Sequence, residues 1–242
     1  MIRLDKYLCD CGIGTRSQVK EFIKKGQIQV NDQVVKKSDF KLEEVKDSVF
    51  YLGKELVYQG FYYFMLHKPM GVITATEDKR EKTVMDLLGN DRKKNLFPVG
   101  RLDKDTEGLL LITDDGALAH QLLSPKKNVP KTYYVQTSHV IGENMVNMLT
   151  RGVDIGEKEI TKPALVEVLT PTSLHLTITE GKFHQVKRML KAVNNEVTYL
   201  KRISMGSLIL DPSLEKGQFR KLTDEEIFSL KKYIERYEDV KK

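Results

Sequence analysis

Apolar positions change their spacing several times along the chain, and each change marks an element. Leu4 and Leu8 stand one helical turn apart and Gly12 follows, which predicts a short helix from Arg3 to Cys11. Thr15-Arg16-Ser17-Gln18 fits a capping box, and Val19, Phe22 and Ile23 then form an apolar stripe that Gly26 ends. Gln27-Ile28-Gln29-Val30 alternates like a strand, with a turn at Asn31-Asp32, and a second short strand runs from Ser48 to Leu52. Beyond Gly60 the pattern coarsens. Phe61 to Leu66 is a buried-strand run, His67-Lys68-Pro69-Met70-Gly71 a turn, and Val72 to Ala75 a resumed strand. Val84 to Leu88 is expected to be helical, Leu109 to Ile112 a strand, and Ala117 to Leu123 a helix stopped before Pro125. Tyr133 to Val135 and Leu174 to Thr179 read as strands, and His184 to Val193 as a strong helix. Short strands to Leu210 and a charged helix from Asp224 to Tyr237 complete the pattern.

Strands and helices mix without a regular strand–crossover alternation. This predicts an α+β protein with a largely antiparallel sheet. The change in character near Leu56–Gly60 predicts a small module over residues 1–57, a linker over 58–60 and a larger domain over 61–242.

Composition narrows the classes. The chain has 242 residues, 40% hydrophobic and 31% charged, an ordinary globular balance. No apolar stretch approaches the roughly 20 residues of a membrane span, and the charged start Met1-Ile2-Arg3-Leu4-Asp5-Lys6 lacks an apolar export core. Cys9 and Cys11 have no further cysteine to complete a zinc set and are expected to be reduced thiols of a cytoplasmic protein. The net charge is +6, and residues 181–202 alone carry six basic groups against one acid. That local surplus fits a polyanion contact and fits a solvated helix face equally well.

One stretch is unusual in its chemistry. Phe97 to Leu111 holds a turn, Arg101, three acids (Asp103, Asp105 and Glu107) and a strand. The acids fit a metal site, an acid/base pair or a polar loop, with Asp105 and Glu107 expected to be solvated. No dinucleotide or phosphate-loop glycine pattern and no zinc-protease histidine pair is present. In the helix after Gly181, Val186, Met189, Leu190 and Val193 form a buried face. His184, Lys187, Arg188 and Lys191 take the rest of the circumference.

Two resemblances attach to these residues. Arg3-Leu4-Asp5-Lys6-Tyr7-Leu8, Ser17 and Gly26-Gln27-Ile28-Gln29-Val30-Asn31 resemble the S-four-type RNA-binding module of a ribosomal small-subunit protein. Gly100-Arg101-Leu102-Asp103 with Thr106 and Gly108-Leu109-Leu110 resembles the signature of pseudouridine synthases. His67-Lys68-Pro69-Met70-Gly71, Lys131-Thr132-Tyr133 and the run from Thr179 to Met189 agree in order and spacing. The His-Gln-Val-Lys-Arg-Met form most resembles the small-subunit rRNA branch, which isomerises one uridine of 16S rRNA, position 516 in the bacterial standard. The 23S-directed branch of the same family stands as the alternative.

The resemblance implies a catalytic domain with a mixed, largely antiparallel sheet and a central cleft. It implies Asp103 as the catalytic carboxylate, Lys187 as its charge partner in place of the usual arginine, and Tyr133 as the ring that stacks on the target uracil. Whether Asp103 attacks the sugar or the ring, or deprotonates the sugar, stays open. Arg101 is expected to fill the gap left by the extruded base. His184, Gln185, Arg188 and Lys191 are expected to contact RNA, as are Arg16, Lys20 and Lys24 in the small module. Neither metal nor cofactor is called for, since every atom of the product comes from the substrate. The expected partner is 16S rRNA or a small-subunit assembly intermediate, bound by a monomer and not by a membrane. Two other classes compete: a non-catalytic rRNA-binding assembly factor, and a hydrolase using Asp103 with Glu107 as an acid pair.

Overall fold

The computed structural model describes residues 1–43, 46–56, 60–91 and 95–239. The chain divides into two compact units, Met1–Phe61 and Tyr62–Lys242. Most of the linker expected at 58–60 lies outside the described residues.

The first unit runs β1 (Ile2–Arg3), α1 (Leu4–Asp10), α2 (Arg16–Lys24), β2 (Ile28–Val30), β3 (Gln33–Val34), β4 (Lys41–Leu42), β5 (Val49–Tyr51) and β6 (Lys54–Leu56). The Thr15 hydroxyl accepts from Gln18 N at 3.4 Å while Gln18 Oε1 accepts from Thr15 N at 2.9 Å, so two free donors at the start of α2 are satisfied reciprocally. Asn31 and Asp32 both have positive φ, 48° and 66°, the backbone that lets β2 and β3 pair with the natural strand twist. Strands β3-β2-β5-β6 form one sheet, and β1 pairs with β4. Leu4, Leu8, Val19, Ile23, Ile28 and Leu42 are fully buried at its centre.

The second unit contains β7 (Tyr63–Lys68), β8 (Phe97–Pro98), β9 (Glu107–Thr113), α3 (Gly116–Leu123), β10 (Lys131–Thr137), α4 (Glu143–Arg151), β11 (Leu165–Thr170) and β12 (Ser173–Ile178). It continues with α5 (Gln185–Ala192), β13 (Val197–Met205), β14 (Leu208–Ile209), β15 (Phe219–Lys221) and α6 (Asp224–Asp239). The main sheet has the order β11-β12-β10-β13-β9-β7-β15, with β14 on β13 and β8 on β9. Among the described strands every pair in this sheet is antiparallel except β9–β13, where Glu107 and Gly108 lie beside Lys201 and Arg202. At that seam a Cβ on Gly108 would sit 2.2 Å from the Arg202 carbonyl oxygen, so only glycine allows the two strands to close.

Helices cover both faces. Met145 and Leu149 of α4 and Val186, Met189 and Leu190 of α5 share a core with Leu66, Leu110 and Val135. On the other face Met65, Leu109 and Leu111 are equally buried. Tyr63, also on that face, donates its hydroxyl to Asp115 at the start of α3 at 2.7 Å and lies under Lys231 of α6. This double cover explains why β7 and β9 are buried along their whole length. Among the described residues no helix is long and apolar enough to cross a membrane.

Several expectations need correction. Val72 to Ala75 is not a strand. Only Ile73 makes a bridge, to Thr83, and Thr74 turns its hydroxyl to the 102 backbone instead. The helix expected over Val84 to Leu88 is a 3-10 segment at Asp86–Asp91, broken at Gly89 by a non-helical backbone. His67 and Lys68 belong to β7 and not to the turn after it. The short strands expected before Leu210 are led by a nine-residue strand, β13. Sequence patterning also passed over α4 and β11, whose apolar faces are short.

Candidate active site

Asp103 sits in the loop between β8 and β9, and this loop is tied down from behind by backbone bonds. The Thr74 hydroxyl takes a bond from Leu102 N at 3.1 Å and gives one to Leu102 O at 2.7 Å. Gly71 N reaches Lys104 O at 2.8 Å, and Thr106 N closes a turn on Asp103 O at 3.0 Å. Lys68, fully buried at the end of β7, spends its ammonium on carbonyls: Thr106 O at 2.8 Å, Pro69 O at 3.0 Å and Lys104 O at 3.4 Å. Burial pushes Lys68 down to about 8, while Asp103, Asp105 and Glu107 pull it back towards its charged form. One buried cation thus holds the backbone that follows Asp103, while Thr74 holds the residue before it.

The front of the loop meets α5. Lys187 Nζ lies 3.1 Å from Asp103 Oδ2 and 2.5 Å from Asp105 Oδ1. Burial opposes the charge on Lys187, but the bonds to Asp105 and Asp103 outweigh it and hold the amine above its ordinary range. Burial likewise works against the charge on Asp105, and its bond to Lys187 overcomes that and holds the carboxyl below its usual range. His184 Nε2 stands 3.5 Å from the other oxygen of Asp103. His184 precedes α5 in a left-handed conformation, φ 47°, and makes no side-chain cap.

Tyr133 of β10 is buried in the same core cluster as Leu102 and Val186, on the face that α5 covers. Tyr134 points to the opposite face, where its ring meets His175 and Tyr199 edge-on. Arg101 is exposed, and among the described residues it makes no ion pair with Asp105 or Glu107. Lys191 is exposed and unpaired among the described residues, as are Arg16, Lys20 and Lys24 on α2.

Three sequence assignments change. Glu107 is not solvated: it is 3% exposed, on the face away from α5. It accepts from Tyr199 Oη at 2.5 Å and pairs with Lys216 at 2.9 Å. Burial works against its charge, but those two donors hold its carboxyl below the usual range. Gln185 is 4% exposed, and its side chain is used internally, accepting from Lys182 N at 2.9 Å and donating to Glu180 at 2.8 Å. It is therefore withdrawn from the RNA-facing set. Arg188 is not a free cation either. It binds Glu157 at 2.8 Å and the carbonyls of Phe183 and Ile155, holding the turn before α5. Sequence reasoning missed Lys68 and Thr74 as supports of the loop. Their signals were a lysine closing an apolar run and a threonine in a segment too short to be a paired strand.

Comparison with known proteins places the chain in a family. Residues 62–192 match the RNA pseudouridylate synthase family, and residues 2–49 match the S4 domain. An uncharacterized RNA pseudouridine synthase of Bacillus subtilis is 48% identical, covering 95% of this chain and 98% of that protein. The ribosomal small subunit pseudouridine synthase A of Vibrio cholerae is 44% identical, covering 95% and 99%, and that of Escherichia coli 40%, covering 95% and 100%. A crystal structure of a pseudouridylate synthase superposes with a TM-score of 0.68 at 38% identity, covering 95% of this chain and all of that one. With its fold, its motifs and these relatives in agreement, the chain belongs to the RNA pseudouridylate synthase family, isomerases of uridine in RNA, and carries an N-terminal S4 domain.

Proposed function

We propose that this cytoplasmic enzyme converts one uridine of 16S rRNA, position 516 in the bacterial standard, to pseudouridine, with Asp103 as the reacting carboxylate. The observation that carries the chemistry is Asp103 itself: a carboxylate on a backbone locked by Lys68 and Thr74, with its charge met by Lys187 at 3.1 Å. The small-subunit target rests on the names of the full-length relatives from Vibrio cholerae and Escherichia coli.

The reaction breaks a C–N glycosidic bond, turns the uracil and joins its C5 to the ribose. Asp103 supplies the anion that splits this into easier steps. Lys187 pairs with that carboxylate and orients it, and Asp105 shares the lysine. Tyr133 supplies the ring for the uracil, and Arg101, free of protein carboxylates among the described residues, is available to take the place of the extruded base. The hydrolase alternative loses its second acid, because Glu107 is turned to the other face and held there by Tyr199 and Lys216.

The test is to map pseudouridine in total rRNA from cells lacking the protein, complemented with wild type or with Asp103→Asn. The expected result is one missing pseudouridine in 16S rRNA, restored by wild type and not by the variant, while purified variant still binds rRNA within about threefold. A lost site in 23S rRNA would overturn the target, and restoration by Asp103→Asn would overturn the role of Asp103. RNA carrying 5-fluorouridine should stall on the enzyme or yield a rearranged, hydrated nucleotide, since C5 cannot lose fluorine as a proton. Released 5-fluorouracil would show hydrolysis.

A further inference from the structure

Phe183 is 71% exposed, more than Phe228 at 64% and Phe40 at 39%, the other well-exposed phenylalanines among the described residues. Phe228 is covered by the Lys232 ammonium at 5.7 Å. The Phe183 ring instead lies flat on His184, with centroids 3.8 Å apart and planes 19° from parallel. Its outer face is left to solvent. His184 in turn stands 3.5 Å from Asp103. Rim, stack and carboxylate therefore form one continuous series.

The turn that builds this series is held in place at a backbone cost. His184 adopts the left-handed region at the position where a helix ordinarily takes a capping side chain, yet it caps nothing. Arg188 Nη1 grips the Phe183 carbonyl at 3.0 Å, and Gln185 Oε1 accepts from Lys182 N at 2.9 Å, so the turn is pinned on both sides. Nothing in the core requires an aromatic ring at 183, because the ring is outside it. The left-handed turn aims His184 at Asp103 and lays Phe183 on top.

We propose that Phe183, seated on His184, is the stacking platform for an RNA base adjacent to the target uridine. The proposal deepens the reading of Asp103 as the reacting group and rests on it. A uridine brought to Asp103 must leave its stack, and its neighbours then each lose a stacking partner. An aromatic face one ring away from the residue that touches Asp103 replaces that partner for one of them. Any base has such a face, so the platform binds and orients without reading sequence. Phe183 is thus a substrate-positioning residue and takes no part in bond making.

The test uses the full chain and total RNA from cells lacking the enzyme, which contains the substrate whichever RNA it is. Phe183→Ala and Phe183→Leu should each raise KM about tenfold with kcat within about threefold, and Phe183→Trp should recover most of the loss. Leucine keeps apolar bulk without a π face, so a leucine variant equal to wild type would overturn the platform. A fall in kcat matching the fall in kcat/KM would overturn it as well. The chain contains no tryptophan, so the substitution Phe183→Trp introduces its sole indole. In the Asp103→Asn, Phe183→Trp double variant, excited at the red edge of tyrosine absorption, saturating RNA should strongly quench that indole through base stacking. An indole left bright on the RNA-bound protein would overturn the proposal. Turnover by Asp103→Asn would sink the assignment of Asp103 alone, while the quenching would still decide the role of Phe183.

Discussion

Helices α2 and α5 present the same sequence pattern, basic residues about one turn apart opposite an apolar stripe, and the fold uses them in opposite ways. On α2, Arg16, Lys20 and Lys24 are all exposed and have no ion pair among the described residues. On α5, Lys187 is committed to Asp103 and Asp105, Arg188 to Glu157 and two carbonyls, and only Lys191 is left to solvent. The spacing of cations is therefore silent on their use. What separates the two helices is whether a carboxylate from elsewhere in the fold arrives opposite the stripe. On α5 the β8–β9 loop and the Glu157 turn deliver three of them. The three α2 charges of the S4 unit stay exposed, which is what the proposed contact with a phosphate backbone would use.

The sharpest way to break this contrast is to remove a committed cation. Lys187→Met should cut kcat by about 100-fold or more while RNA affinity stays within about threefold, because Asp103 loses the charge that orients it. Equal losses in kcat and affinity would put Lys187 in the same class as the α2 residues. Next in size is the triple change Arg16→Gln, Lys20→Gln, Lys24→Gln, with kcat at saturation kept. Its affinity should fall and the slope of log affinity against log salt should shrink by up to about 2, at roughly 0.7 per lost phosphate contact. An unchanged slope would mean that α2 does not face RNA. Lys191→Met should give one third of that slope change and nothing in kcat, which a stopped assay at saturating RNA would show.

The smallest effect concerns Lys68, the cation most deeply committed. Its folded value of about 8 lies below the ordinary 10.5, so between those values the unfolded chain binds more protons than the folded one. This group's contribution to stability therefore rises with pH across that window. Relative to Lys68→Met, the wild type should gain in Tm between pH 8 and pH 10. A difference that stays flat would mean that Lys68 titrates like a solvated lysine. Activity should move the other way, since an ammonium has three donors for three carbonyls and a neutral amine has two.

Local devices were legible in the sequence: the Thr15–Gln18 capping box, the Asn31-Asp32 turn and the buried face of α5 all depend on residues within a few positions of one another. What was not legible depends on partners brought from far away. Glu107 reads as one acid of three in a polar loop, and only Tyr199 and Lys216, about a hundred positions downstream, make it a buried structural group. Arg188 sits in a run that looks made for RNA, yet Glu157, about thirty positions upstream, claims it. Val72 to Ala75 has strand composition but no neighbouring edge to pair with, and side-chain composition does not encode edges.

The parallel seam at Gly108 has a kinetic consequence. It joins residues about ninety positions apart and, among the described strands, is the sole link in the sheet path between β10-β12-β11 with β13 and β7-β9-β15. The pairs β7–β9 and β10–β12 can form early through shorter loops, whereas the seam, like the still longer-range β7–β15 pair, must wait for a long closure. Asp103 hangs from one side and α5, with Lys187, packs on the other. The carboxylate and its cation therefore meet only when the long loop behind the seam has closed. Amide hydrogens at the seam, pulse-labelled by exchange during refolding, would time the birth of the active site itself.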